Sequence, residues 1–596
     1  MNQLWSRMSR YGRDAVYLLP ALLLILAQVR VVLGRCDRTV LGTLEGSDAV
    51  LQSGILAWMV RHWWDPATCV KLPVFFPSQN SLVGMDSLLG QALLVSPLHY
   101  LMNPSPALLY NVAVILTLLL TVLAGAALWL ATCPEGTRAQ RLAGAGFCGL
   151  VLLGAPFTSW QLGMLNQISP PWVVFMLAAL WRGWRCFDTR RSAGPWWWLA
   201  VVCLVVQAAW GWYGFADAVF VLAVAGVFGL VQAARRRRLQ RFLTQLALPA
   251  LAAAVLVLAL AWPYLQLRAT TPEYTRELDA VQHFGSHLHV LTNLGPHRLA
   301  PADLLGGGAP SAERALLNID AVLHPGWLTL LCALVGVWRW RGLRGFGLLV
   351  AAIGAVGFVM SFGDSGGYPP GSDRRIMLPF GWLREVLMPF KAFRCPSRFI
   401  FLLTVAMAWW ATAGLHGMVS RSWPWRRVLV IMVWALVWLE SVPMAMLAVP
   451  IPVDGRPQHG SSSTVLAGGV LSLPAPAGEA DERVTDAYWL HRALATGRPT
   501  TDGMSGWVPP VARRLRLRLV DCEQGRLAVP VLLDSLRDEG IVAAEVAEIY
   551  EDTLRVAFWR EALETAGYRG VVRAPGYRWY DLQPAAVEEP PDSGTP

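Results

Sequence analysis

The sequence predicts a mainly α protein: a polytopic membrane helix bundle of about 11 spans, followed by a C-terminal extracytoplasmic α/β domain. Three observations carry that expectation. Apolar residues make up 55% of the 596 residues before glycine is counted, where soluble domains reach roughly 45–50% with glycine included. Charged residues are only 15%, against about 25% in soluble domains. The 29 Trp suit a chain with many membrane interfaces, where indoles settle. A soluble multi-domain enzyme is excluded, and so is a disordered chain, which needs low hydrophobicity.

The first span runs from about Ala15 to Gly34, behind Arg7, Arg10 and Arg13. No clear small-residue cleavage site follows it, so it reads as a retained helix rather than a signal peptide. The next apolar piece, Leu88–Met102, is weaker and is interrupted by Gln91, Pro97 and His99. A long run, about Ala107–Ala131, comes after it. The remaining spans are about 142–157, 171–185, 195–213, 215–234, 242–265, 327–340, 344–361, 398–417 and 428–449. If 88–102 crossed the membrane, every later arginine-bearing loop would face outward: Arg138 and Arg141, Arg190–Arg191, Arg235–Arg238 with Arg241, Arg339–Arg344, and Arg421–Arg427. If it lies on the surface, all of them fall inside, as the positive-inside rule requires. It is therefore assigned as an interfacial helix of a multi-pass membrane protein, with the N-terminus cytoplasmic and the C-terminus outside.

The transmembrane domain is expected over 1–449, with outside loops at about 35–105, 266–326 and 362–397 and a smaller one at Trp160–Pro170. Residues 450–583 alternate short apolar runs with helical patterns, such as Val531–Arg537, Ile541–Ile549 and Thr553–Ala566, and read as an extracytoplasmic α/β domain. The Pro/Glu-rich stretch 584–596 reads as a disordered tail. The net charge of +10 sits mostly in short clusters between apolar runs, so topology explains it; the expected partner is a lipid bilayer, and no nucleic acid is expected. The nine Cys show no CxxC and no zinc spacing. Cys36 and Cys69 are the pair to bridge if their loop faces an oxidising compartment.

There is no P-loop, GxSxG or HExxH, and no GxGxxG in a strand–helix context, so ATP hydrolysis, serine hydrolysis and zinc proteolysis lack support. Polar residues at the outer membrane face remain. Glu45 and Asp48 are three residues apart, which on a helix puts them on one face. A carboxylate partly desolvated there can act as a general base; the plainer reading is a helix N-cap. Asp86, followed by Ser87 and an apolar run, has the look of an N-cap itself. Arg374, Arg375, Arg384, Lys391, Arg394 and Arg398 form a cationic excess in and after the outside loop at 362–397, against Asp364, Asp373 and Glu385. Short outside loops normally avoid such an excess, and an anion bound there explains it; snorkelling is the plainer alternative. Asp217 and Glu440 lie within apolar stretches, where an ionisable side chain is costly and marks a functional site or an ion pair. His283, His287, His289 and His297 have partial metal spacing, but Gly285 and the surrounding residues favour a loop. Asn166 and Gln167 are polar residues suited to a sugar, or simply to a plain loop.

These segments resemble the GT-C superfamily of membrane glycosyltransferases. Glu45–Pro66 is similar to its acidic first loop, and Asp86–Ala131 to its juxtamembrane helix and second span. The stretch SFGDSGGYPP to FKAFRCPSRFIFLLTVAMAWWATAGL, with VLSLPAP, ALATGRPTTDGMSGWVPP and LLDSLRDEGIVAAEV further on, resembles the YfhO-like bacterial branch. The resemblance implies a GT-C-like bundle and a sugar moved from a polyprenyl-phosphate donor to an extracytoplasmic glycan, lipid or protein acceptor, usually with inversion. It implies Asp48 as general base with Glu45 as companion. It implies Arg394 and Arg398 on the lipid phosphate; Lys391, Asp86, Asp217 and Asn166, read from the residues alone, are further substrate-binding candidates. No cofactor is demanded; a divalent cation is allowed for. Two other functions compete: a transporter or flippase of a lipid-linked glycan, which predicts paired charges at the bilayer midplane and repeat symmetry, and a non-catalytic accessory protein of cell-surface polysaccharide assembly.

Overall fold

The computed structural model describes residues 16–42, 47–72, 74, 86–133, 135–270, 326–339, 344–363, 378–419, 425–442, 446–451, 469–473, 491, 493, 510–539, 541–547, 553–574 and 577–582. Glu45, the histidines at 283–297, Arg374, Arg375, Asp364, Asp373 and the tail 584–596 lie outside them. The chain divides into two compact units. One comprises Met1–Ala49, Leu88–Met102 and Leu108–Val449; the other comprises Val50–Ser87, Asn103–Ala107 and Pro450–Pro596.

A helix stands in each stretch expected to cross the membrane. In chain order the longer helices are α1 (Leu19–Val29), then, after β1 (Thr39–Gly42), α2 (Ser47–His62) and α3 (Leu89–Met102), α4 (Pro106–Thr132), α5 (Arg138–Gly154), α6 (Pro171–Asp188), α7 (Gly194–Trp210), α8 (Trp212–Arg235) and α9 (Leu239–Thr270). After them come α10 (Trp327–Arg339), α11 (Arg344–Ser361), α12 (Pro379–Val386), α13 (Phe401–Val419) and α14 (Arg426–Ser441). Four helical stretches among the described residues are long and apolar enough to cross: Pro106–Thr132, Trp212–Arg235, Leu239–Leu267 and Pro396–Met418. A fifth results if Arg138–Gly154 and Pro156–Gly163 count as one bent span. The helices α1, α7, α10, α11 and α14 are apolar but shorter, and α6 carries Arg182, Arg185 and Asp188 in its last two turns.

α13 lies in the middle of the first unit, with α5, α10 and α11 packed on it. Small residues set that closeness: a Cβ on Gly336 would meet the Trp410 carbonyl oxygen at 2.1 Å, and one on Gly414 would meet the Cys332 carbonyl oxygen at 2.2 Å. Membrane helices pack through such small-residue contacts because lipid supplies no hydrophobic drive between them. α9 is almost wholly exposed along its apolar length, as suits a helix facing lipid. α3, expected at the interface, buries Gly90, Gln91, Ala92, Val95 and Ser96 and exposes Leu93, Tyr100, Leu101 and Met102. Gln91 Nε2 donates to the Trp210 carbonyl at 3.0 Å, docking α3 on the end of α7.

α3 begins at Leu89, with the Ala92 amide bonded to the Leu88 carbonyl at 2.8 Å, and Asp86 precedes it by three residues. Glu440 caps α10, its carboxylate accepting from the amides of Trp327 (2.5 Å) and Leu328 (3.2 Å). Those amides are orphan donors at a helix start, and an anion there also meets the positive end of the dipole. Cys36 and Cys69 are both free thiols rather than a bridge.

After α14 comes β2 (Leu447–Pro450). In the second unit, β3 (Gly469–Leu473), β4 (Ile541–Ala547), β5 (Gly570–Ala574) and β6 (Tyr577–Asp581) form one sheet in the order β3-β4-β6-β5. The β3–β4 pair is parallel, which demands a long crossover; α15 (Pro510–Glu523) and α16 (Val529–Asp538) lie within it. α17 (Thr553–Thr565) follows β4, and the core beneath the sheet joins Leu471, Leu519, Leu533, Val546, Trp559 and Tyr580. Arg555 holds both oxygens of Glu523, at 2.9 and 2.8 Å, while Trp559 Nε1 donates to the same carboxylate. Also in this unit, Ser53 Oγ and His491 Nε2, both fully buried, lie 3.0 Å apart, and each contacts the Val50 carbonyl.

Candidate functional site

The site candidates of the first unit gather where α7 turns into α8. Gly211 separates the two helices in extended backbone, and a Cβ there would meet the Asn166 carbonyl at 2.8 Å. Two residues on, Tyr213 receives both backbone donors of the segment before Arg398: the amides of Arg394 (2.9 Å) and Cys395 (2.8 Å) donate to its hydroxyl. The Arg398 guanidinium lies over the Tyr213 ring, 4.7 Å from its centroid, and Nη2 contacts Met164 Sδ at 3.5 Å. Arg398 is buried. A buried guanidinium on an aromatic face is partly desolvated, which strengthens its pull on any anion that reaches it.

Asp217 lies one helical turn beyond Tyr213 and is buried, and its Oδ1 has no hydrogen-bond partner among the described residues. The same holds for Gln167 Nε2, Ser169 Oγ, Ser397 Oγ and both amide atoms of Gln207. A Cβ on Gly214 would lie 2.3 Å from Gln207 Nε2 and 2.8 Å from Pro170 Cβ, so loop 160–170, the end of α7 and the start of α8 are in contact. Buried polar atoms are nearly always bonded; this end of the bundle is set up for polar contacts that the described protein atoms do not supply.

Asp48 stands in the first turn of α2, half-buried, and its charge reaches Tyr110 on α4. Asn111, the next residue of α4, holds the strand ahead of it. It accepts from the Leu41 amide at 3.0 Å and donates to the carbonyls of Thr39 (2.7 Å) and Cys36 (3.1 Å). β1 in turn packs on the turn Gln161–Gly163, which is followed directly by Met164. The start of α2 and the Arg398 guanidinium therefore lie at the same end of the bundle. Lys391 is half-buried in the turn Met388–Ala392, close in sequence to Arg394. Asp86 is half-buried in the second unit.

Sequence reasoning missed Tyr213, Met164 and Asn111. It weighed 160–170 as a plain loop, whereas Gln161, Leu162, Gly163, Asn166, Gln167 and Ser169 are all buried. The motif WGWYGF, small and aromatic residues between two apolar runs, was the available signal for Tyr213. Among the described residues no three His, Cys, Asp or Glu side chains gather as a metal site needs.

No family model and no curated protein matches the chain. Solved structures do. The arabinofuranosyltransferase AftD from Mycobacteria matches over 96% of this chain and 40% of its own, at 15% identity and a TM-score of 0.52. A mutant of the same enzyme matches over 96% and 42%, at 15% identity and a TM-score of 0.54. The chain shares the fold of that arabinofuranosyltransferase. At this identity the likeness is one of fold, and the chain spans about two-fifths of the length of the mycobacterial enzyme. An oligosaccharyltransferase from Archaeoglobus fulgidus also matches, over 96% of this chain and 74% of its own, at 11% identity and a TM-score of 0.48. Within this fold, Gln167, Ser169, Gln207, Asp217 and Ser397 bring buried polar atoms to the α7–α8 junction and the segments beside it.

Proposed function

We propose that this chain is a membrane glycosyltransferase that moves a sugar from a polyprenyl-phosphate donor to an extracytoplasmic acceptor, with inversion. The observation that carries the proposal is the buried Arg398, fixed over Tyr213 and against Met164 at the end of the bundle where the helix bearing Asp48 begins. In this reading Asp48 takes the proton of the acceptor hydroxyl, with Glu45 as its companion acid. The acceptor oxygen attacks the anomeric carbon as the bond to the phosphate oxygen breaks. Arg398 and Arg394 stabilise the charge that collects on the departing polyprenyl phosphate, with Lys391 nearby in the chain. Asp217 and Asn166 bind the sugar. Asp86, in the second unit, carries no step.

Base catalysis contributes about 10²–10⁴-fold, and stabilisation of the leaving charge is often the larger effect. The arginines are therefore expected to matter at least as much as Asp48. The narrower assignment to the YfhO-like branch, the orientation with the N-terminus cytoplasmic in a bacterial inner membrane, and the acceptor as glycan, lipid or protein belong to the same proposal. The test is transfer from a polyprenyl-phosphate sugar by membranes carrying Asp48→Asn or Arg398→Ala. Each substitution should abolish most turnover, and wild-type rates in both would refute the site.

A further inference from the structure

We propose that the arginines where α6 ends and α8 passes into α9 form a binding surface for anionic phospholipid headgroups, separate from the site above. α6 ends at Asp188 and leads into exposed Arg190 and Arg191; α8 ends at Arg235 and leads through Arg236, Arg237 and Arg238 into α9, whose first turn carries Arg241. The fold brings these two runs onto one spot. Arg236 pairs with the Asp188 carboxylate, and Arg238 Nη1 donates to the Asp188 carbonyl at 3.1 Å. Arg236 lies over the Trp184 ring at 5.9 Å and Arg241 over the Phe187 ring at 5.8 Å. Within 188–191 and 235–241, seven arginines face one carboxylate, so most of the charge is left uncompensated inside the patch.

Orientation in the membrane requires only that cations stay on one side. It does not require two loops distant in sequence to converge on a single aspartate. The surroundings identify the partner. Val227, Leu230 and Val231 on α8, and Leu239 and Leu243 on α9, are exposed apolar side chains next to the arginines. Cations bordering an apolar face match a headgroup phosphate above its acyl chains. A soluble polyanion would meet the charge and leave the apolar face uncovered. The surface is not the proposed donor site, because Tyr213 and Arg235 stand at opposite ends of α8, about 33 Å apart along its axis.

The test uses the full-length protein in mixed micelles of phosphatidylglycerol and phosphatidylcholine, with the lipid retained on the protein counted by native mass spectrometry. The wild type should enrich phosphatidylglycerol over its bulk fraction, and the enrichment should fall as salt is raised. The triple variant Arg235→Gln/Arg237→Gln/Arg241→Gln, whose side chains are exposed, should lower the enrichment about ten-fold or more, since each arginine near an anionic surface contributes roughly five-fold. A thermal melt that matches the wild type shows that the variant is folded, and the salt series on the wild type tests the proposal without any variant. No enrichment in the wild type, enrichment insensitive to salt, or an unchanged folded triple variant would overturn it. So would displacement of the lipid by soluble polyphosphate at equal charge concentration, which would assign the patch to a soluble anion. None of these readouts depends on glycosyl transfer.

Discussion

Replacing Tyr213 by phenylalanine removes one oxygen and keeps the ring. That oxygen accepts from the Arg394 and Cys395 amides, at 2.9 and 2.8 Å, and the Cys395 residue is buried. A buried donor left without its acceptor costs about 1–3 kcal/mol, so the pair should cost about 2–6 kcal/mol. The Arg398 guanidinium keeps the aromatic face 4.7 Å away, a contact worth about 0.5–2 kcal/mol. The loss therefore falls on the backbone that aims the arginines, while their charge and stacking stay. Hydrogen exchange of the 394–395 amides should accelerate about thirty-fold or more, the factor that 2 kcal/mol represents. Transfer should slow on the order of 10²-fold, the effect of about 1 Å of misplacement. Tyr213→Leu, which also removes the face, should be slower still. If amide exchange and turnover in Tyr213→Phe both match the wild type, the tyrosine does not hold the arginine segment and the reasoning fails.

Asn111→Ala removes three hydrogen bonds to the segment Cys36–Leu41 ahead of Asp48; transfer should fall at least ten-fold while lipid-donor binding, read by retention of a labelled polyprenyl phosphate, is kept. Glu440→Ala should lower stability by about 1–2 kcal/mol in denaturant unfolding through the lost cap of α10, and Glu440→Gln, which retains one acceptor, by less. Burial pushes the Cys522 thiol up to about 11, so native protein should resist alkylation there at pH 8 while the unfolded chain reacts. Because the folded domain holds that proton more tightly than the unfolded chain does, this contribution is present below about pH 9 and is lost as pH rises towards 11; an alkaline unfolding series on Cys522→Ala should lack it.

Apolar run length made the helices legible, and the broken run at 88–102 forms α3, a helix buried on one side and exposed on the other. The out-of-place cations at Arg394 and Arg398 and the carboxylate of Asp217 stood out because charge next to a membrane is costly wherever it occurs. Glu440 stood out for the same reason, yet its partners are backbone amides 112 and 113 residues earlier. Nothing local to either segment signals that pairing. The polar loop at 160–170 looked solvated, and the fold buries it between β1, α3 and the α7–α8 junction.

The sequence by itself determined that this chain is a membrane helix bundle with an α/β domain after it, because partition between water and lipid is decided by runs of neighbouring residues. Tertiary structure alone decided that Tyr213 would carry Arg398, that Asn111 would pin the approach to Asp48, and that two arginine runs would meet on Asp188. Those contacts join residues tens to hundreds of positions apart. Their energies depend on which helix faces pack together, and no stretch of sequence carries that information on its own.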